Sequence, residues 1–180
     1  GEYLYDIQEY DSALVYTLRA LPLFKDNMEK ADCQSLISIT YFRKSCYTEA
    51  IDYARQCLKT YRKSNDHSRI SSALNTIAGI YLASKRPAEG ERYILEAIRH
   101  SIMAGDSGRI AIQCGMASEI YHSMNKDSDA LDYAKRALEI DRRLGNTNKV
   151  GIRLSQISTV LISQGKNSEA EQYLKRAIPI

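Results

Sequence analysis

A ten-residue block recurs five times along this chain, and its spacing limits the fold more than any other feature. The copies read SALVYTLRAL from Ser12, EAIDYARQCL from Glu49, EGERYILEAI from Glu89, DALDYAKRAL from Asp129 and EAEQYLKRAI from Glu169. Their tyrosines, Tyr16, Tyr53, Tyr93, Tyr133 and Tyr173, are 37 residues apart once and 40 apart three times. A period of that size means one supersecondary unit per repeat, stacked on its neighbours because no unit can bury its apolar face alone.

A second pattern precedes each block: Ile37 with Tyr41, Ile77 with Tyr81, Ala117 with Tyr121 and Ile157 with Leu161. Spacings of three and four mark one helical face. Each unit therefore reads as two helices, at about 27–44 and 47–63, 67–84 and 87–103, 107–124 and 127–143, 147–164 and 167–180. The first unit is expected to keep only the end of a leading helix, before Tyr10. Asp26, Asp66, Asp106 and Asn146 stand 40 apart, each just before an apolar-periodic run, where their oxygens can cap the next helix. The links SCYTEA, KRPAEG, NKDSDA and GKNSEA are short, so paired helices must be antiparallel, and Pro87 falls where a first-turn proline is tolerated. The whole of 1–180 reads as one elongated all-α domain: a truncated unit at 1–25, then units at 26–65, 66–105, 106–145 and 146–180. It is expected to be a fragment of a longer protein.

Composition narrows the function classes. The chain is 44% hydrophobic and 26% charged, which suits a folded helical protein, and its net charge of +3 is too small and dispersed to imply nucleic acid. No apolar run approaches the roughly 18 residues of a membrane-spanning helix. Direct nucleic-acid binding and membrane insertion are thus not expected. Cys33, Cys46, Cys57 and Cys114 show neither CxxC spacing nor a histidine at ligand distance, so free thiols are expected rather than a metal site. That favours a reducing, cytoplasmic compartment and leaves a periplasmic part of a membrane-anchored regulator open.

These units resemble tetratricopeptide repeats (TPRs) over essentially the whole chain. The family's small residue at the start of the second helix is matched by Ala13, Ala50, Gly90, Ala130 and Ala170, and its second, seven residues later, by Ala20, Cys57, Ala97, Ala137 and Ala177. In the first helix the small residue is Ser38, Ala78, Ser118 and Ser158. The family period is usually 34; here it is 40, and the usual proline after the second helix is replaced by Arg62, Ile102 and Arg142. The longer repeat with its Gly105-Asp106 and Gly145-Asn146 turns is similar to TPRs of kinesin light chains, quorum-sensing peptide receptors and sensory regions of bacterial transcription regulators. The resemblance implies a right-handed αα-superhelical solenoid whose concave surface is lined by the first helix of each unit.

A repeat protein carries its own control: a residue type found at one position in every unit serves the stack, whereas a polar residue found once is free to serve a ligand. Glu49, Glu89, Asp129 and Glu169 recur as first-turn charges, where the helix dipole favours them. The tyrosines of the second helices read as packing residues whose hydroxyls reach water or a backbone group. Arg69, Arg109 and Lys149 recur just after the caps and are expected to support the turn rather than bind an anion. His67, His100 and His122 have no nucleophile motif beside them, and neither a phosphate loop nor a cofactor signature is present, so no catalytic activity and no cofactor are expected.

What remains is the concave wall. Counted from the family's small residue, its positions carry Asp32, Ser35, Ile39, Phe42 and Arg43, then Ser72, Asn75, Gly79, Leu82 and Ala83. The next two units give Ile112, Gly115, Glu119, His122 and Ser123, then Ile152, Ser155, Thr159, Ile162 and Ser163. A lining of mixed apolar and hydroxyl character suits an extended peptide or a helix with apolar anchors. The candidate contacts are Phe42, Arg43, Asn75, Leu82, Glu119, His122 and Ser155. Asn75 matches an asparagine that peptide-binding relatives set against ligand backbone. The family's clamp for acidic C-terminal tails needs lysines that Ser35, Asn75, Gly115 and Ser155 do not supply, so that ligand class is rejected. The expected function is a non-catalytic peptide- or protein-binding part of a bacterial signalling or transcription regulator; the alternative is a spacer that self-associates through the solenoid's ends as a homo-oligomer.

Overall fold

The structure is a computed structural model that describes residues 2–177, with side chains from residue 9 onward. Its helices are α1 (Glu2–Ala20), α2 (Asn27–Arg43), α3 (Tyr47–Ser64), α4 (His67–Ala83), α5 (Pro87–Met103), α6 (Ser107–Ser123), α7 (Asp127–Arg143), α8 (Thr147–Ser163) and α9 (Asn167–Ala177). A 3-10 turn, Leu21–Leu23, follows α1. The boundaries read from the repeat are met to within a residue, except that positions 178–180 of the last expected helix lie outside the described residues. One expectation is corrected: no separate helix ends before Tyr10, because α1 runs unbroken from Glu2 to Ala20. The stretch Glu2–Ala20 holds no proline or glycine to break the run.

Each link from α2 onward is closed by one residue in the left-handed conformation. Ser45, Lys85, Asn125 and Gly165 take that role after α2, α4, α6 and α8, while Asn65, Gly105 and Gly145 take it after α3, α5 and α7. After the first helices the closing bonds pair outward carbonyls twice: Cys46 N–H donates to Tyr41 O and Ser45 N–H to Phe42 O, each at 2.9 Å. The same two bonds recur at Arg86 and Lys85, Lys126 and Asn125, and Lys166 and Gly165. Three of the four expected caps form: Asp26 accepts from Met28 N and Glu29 N, Asp66 from Arg69 N and Asp106 from Arg109 N. Asn146 holds the cap position without accepting; its Nδ2 instead donates to Asp141 Oδ1 at 3.5 Å.

Why the helices form two rows follows from how much of each is apolar. Helix α7 buries a single stripe, Ala130, Ala134, Ala137, Leu138 and Asp141. Helix α4 buries Ile70, Ser71, Ala73, Leu74 and the run Ile77 to Tyr81, enough to be covered on several sides. The first helices accordingly touch across units, α2 to α4, α4 to α6 and α6 to α8, whereas no second helix reaches the next second helix among the described residues. Closer spacing along the first-helix row makes it the concave wall of the right-handed solenoid. One core cluster runs from Ala31 to Val160, with smaller clusters at the two ends.

The small residues set the separation within each hairpin. Ala50, Gly90, Ala130 and Ala170 are all buried, and Ser38 Oγ donates to Ala50 O at 2.7 Å, as Ser158 Oγ does to Ala170 O at 3.2 Å. Gly90 marks a close approach, since a Cβ there would meet Ala78 O at 3.1 Å. The second-helix tyrosines stack on first-helix tyrosines of the same unit. Tyr41 and Tyr53, Tyr81 and Tyr93, and Tyr121 and Tyr133 lie 5.8, 5.6 and 5.3 Å apart, at interplanar angles of 17°, 17° and 8°. Their hydroxyls also take side-chain partners, as where Arg55 Nη2 donates to Tyr81 Oη at 3.0 Å. All four thiols are unpaired. No described helix is long and apolar enough to cross a membrane.

Candidate functional site

Two cavities open on the row of first helices. The first, of about 470 Å³, lies between α4 and α6 and is lined by Ser72, Asn75, Thr76, Asp106, Gly108, Arg109, Ile112 and Gln113. The second, of about 570 Å³, lies between α6 and α8 and is lined by Glu119, Asn148, Gly151, Ile152, Ser155, Gln156, Thr159 and Ala177. Two positions are shared one repeat apart, Gly108 with Asn148 and Ile112 with Ile152, so both cavities carry an isoleucine at one position of the first-helix row.

The walls are braced by arginine struts. Arg109 Nε donates to Asp106 Oδ2 at 3.1 Å while its Nη1 reaches Ser72 Oγ on the preceding first helix. Arg69 repeats the arrangement one unit earlier: Nη1 to Asp66 Oδ2 at 2.7 Å, and Nε and Nη2 to Asp32 at 2.9 and 3.1 Å. Both caps are held below the usual carboxylate range, first by the backbone N–H of the arginine three residues on. The arginine charges are therefore met by carboxylates and a hydroxyl of the stack.

Further along, a polar chain crosses the units, buried at one end and exposed at the other. Arg153 Nε donates to Asp141 Oδ2 at 3.1 Å and its Nη1 to Gln156 Oε1 at 2.9 Å; Gln156 Nε2 then donates to Glu119 Oε1 at 2.6 Å. Asp141 is fully buried and Arg153 nearly so. Glu119 is thereby fixed at the mouth of the α6/α8 cavity.

The candidate residues separate into groups. Asn75 lines the first cavity; Glu119 and Ser155 line the second. Phe42 stands beside Gly79, where a Cβ would be 3.8 Å from its ring and 3.5 Å from Met116 Cε, both ordinary packing distances. Leu82 packs half-buried against the core, and Arg43 is exposed in the last turn of α2. His122 lines neither cavity: its Nδ1 lies 2.7 Å from Asp127 Oδ1, and Ser163 Oγ donates to Asp127 Oδ2 at 2.6 Å. The hydroxyl first and the imidazole second hold the Asp127 carboxyl below its usual range. His122 therefore ties α6, α7 and α8 together at their turns.

Gln113 was not among the candidates. Its repeat position holds Cys33, Ala73 and Arg153 elsewhere, so the departure from small residues is visible in the sequence. Gln113 is fully buried, and its Oε1 is unpaired, as is the shielded Asn75 Oδ1.

The tetratricopeptide repeat family model matches residues 152–180. Regulatory protein RapG of Bacillus subtilis (strain 168) is 31% identical over 75 residues, which is 41% of this chain and 20% of RapG. The apo form of RapI superposes with a TM-score of 0.88 at 20% identity, over 98% of this chain and 66% of that one. The Rap conjugation gene regulator of plasmid pLS20, in complex with the Phr* peptide, superposes with a TM-score of 0.77 at 16% identity, over 99% of this chain and 50% of that one. The chain thus spans less than two thirds of each of these proteins, and at these structural identities the likeness is one of fold.

Proposed function

We propose that this chain, whose fold is that of tetratricopeptide-repeat solenoids, is a non-catalytic module that holds an extended peptide or protein segment along its concave row of first helices. The observation that carries the reading is the pair of cavities on that row, each offering one exposed isoleucine at the same repeat position, Ile112 or Ile152, beside amide and hydroxyl groups. An extended chain presents side chains to pockets and its amide groups to polar side chains between them, and such a wall meets both needs. Phe42 and Leu82 extend the apolar part of the same row toward the first unit; Arg43 and Glu119 set charge at its rim.

The bound Phr* peptide of the pLS20 Rap regulator, on a solenoid of the same fold, supports this reading, as does the partial match to the regulatory protein RapG. By that analogy the module is the sensor or scaffold part of a larger bacterial regulator. The test is an array of acetylated hexapeptides probed with the chain and with Asn75→Ala, Phe42→Ala and Ser155→Ala. Peptides that bind the parent and lose affinity to these variants support the groove; hits indifferent to all three place the contact elsewhere.

A further inference from the structure

Outside the row of first helices and the two ends of the solenoid, three large apolar side chains are exposed among the described residues: Ile102, Met103 and Leu144, at 51, 65 and 45%. All three stand on one edge, where second helices turn into first helices. Ile102 and Met103 end α5, and Leu144 follows the last residue of α7. Leu144 Cδ1 lies 4.0 Å from where a Cβ on Gly108 would stand, so it leans over the first turn of α6, into which the short link after Met103 leads.

The repeat supplies a control. Ile102 stands where the neighbouring units carry Arg62 and Arg142, and Met103 where they carry Lys63 and Arg143. Leu144 takes the register of the small residues Ser64 and Ala104. The stack therefore asks for none of the three, since exposed cations or small side chains serve at the same places one unit away.

The same edge, from the end of α3 to the start of α8, holds more cations than carboxylates to match them. Asp66, Glu96, Asp106, Glu139 and Asp141 pair with Arg69, Arg62, Arg109, Arg143 and Arg153. Lys63, Arg99, Arg142 and Lys149 are left without a carboxylate partner among the described residues. Lys149 is left over because Asn146 stands where Asp66 and Asp106 hold the arginines of the other units. Arg99 precedes Ile102 by three residues and Met103 by four, so it shares their face of α5.

We infer that this edge docks an acidic segment of a partner protein, whose large apolar side chains seat on Ile102, Met103 and Leu144 while its carboxylates face Arg99 and Arg142. The inference does not depend on the groove reading. Charge complementarity selects the occupant: a guanidinium meets a carboxylate with two parallel N–H bonds, and a neutral or basic segment would leave the surplus cations unmatched. Exposed apolar side chains rimmed by charge are what a protein contact buries. A phosphate backbone offers the apolar trio nothing to cover it. A membrane-binding patch gathers its bases on one short segment or one helix, whereas these are divided among three turns.

The test is an array of acetylated dodecapeptides built from aspartate, glutamate, leucine, phenylalanine and alanine in varied order. One matched set replaces leucine and phenylalanine by serine, and another replaces the acids by lysine. Peptides from the acidic apolar set should bind the chain saturably and shift the backbone 1H–15N signals of Met103, Gly105, Gly108 and Gly145; the serine and lysine sets should bind at least about tenfold more weakly. Ile102→Arg combined with Met103→Lys installs the pattern of the neighbouring units, so it should keep the parent's melting temperature and lower affinity about tenfold or more. Arg99→Glu should weaken the same peptides, and Asn75→Ala should leave their affinity unchanged. No binding by any acidic apolar peptide, equal binding by the lysine set, shifts confined to the first-helix row, or full affinity in the double variant would each overturn the inference and leave the groove reading standing. Three further outcomes would overturn it by giving the edge another occupant, each lost in the double variant: binding to phosphatidylserine-containing vesicles, binding to a DNA duplex, or a dimer of the chain in light scattering, where the acidic peptides do not bind.

Discussion

The guanidinium of Arg153 fills the space that a side chain at Gly115 would need: a Cβ on Gly115 would come within 2.6 Å of Arg153 Cζ. The glycine on α6 thus admits the arginine of α8, which pairs with buried Asp141 of α7, and one ion pair ties three helices together.

Gly115→Ala should push Arg153 off Asp141. Removing one partner of a buried pair costs about 3–5 kcal/mol, and a displaced arginine should lose much of that, far more than the ~1 kcal/mol that alanine returns in helix propensity. Urea denaturation would measure it. Asp141→Leu combined with Arg153→Met should lie closer to the parent than Asp141→Leu alone, because the double change leaves no charge stranded.

The stacked tyrosines give a smaller, local effect. Tyr121→Leu copies the residue that the last unit already carries at Leu161, and should cost about 0.5–1.5 kcal/mol through its stack with Tyr133. A double-mutant cycle with Tyr133→Leu should return most of that cost as coupling; additive losses would show that the ring pair is mere proximity.

Ala130 and Gly90 occupy one position in successive units, yet they should respond differently. Ala130→Leu puts three extra carbons at a fully buried site and should cost about 1–3 kcal/mol. Gly90→Ala gains roughly 1 kcal/mol of helix propensity. It must also move the Ala78 carbonyl, which stands 3.1 Å from the new Cβ, so a near-zero net change is expected in a thermal melt.

Acid should unload the caps. Asp66 and Asp106 titrate below their ordinary range in the fold, so their contribution is complete above the unfolded carboxylate value of about 3.9 and disappears as pH drops through the folded one. Asp66→Ala should therefore cost about 1 kcal/mol at neutral pH, and the gap to the parent should close as pH falls through the folded value. His100 moves stability the same way at higher pH. Burial first, and His67 second, hold its imidazole below the usual range, against an opposing Glu96. Stability is then complete above the unfolded value of about 6.5 and declines as pH drops toward the folded one, and His100→Gln should flatten that limb.

Much of this was legible in the sequence, and the reason is repetition. A helix boundary written four times at one spacing leaves little freedom, and Asp66 with Arg69 or Asp106 with Arg109 could be paired from their order alone. The tyrosine stacks were half legible: the packing role followed from recurrence, but their partners, Tyr41, Tyr81 and Tyr121, sit on the other helix of each hairpin. Contacts made once were beyond reach. Asp141 and Arg153 are neighbours only because α7 and α8 fold back on each other, and Gly115 joins them from a third helix. His122 reads as a groove residue from its position in the family, while its contact with Asp127 is made in one unit and could not be read from the repeat. Gln113 was missed because its register is a core position, and a polar residue there stands out only against Cys33 and Ala73.

The central claim is that the first-helix row receives the ligand, and affinity for peptides selected from the hexapeptide array tests it most directly, measured for Asn75→Ala against Lys135→Ala on the outer helix α7. The account predicts that Asn75→Ala weakens binding while Lys135→Ala leaves it at the parent's value. Equal affinity for both variants, or loss through Lys135 instead, would contradict it.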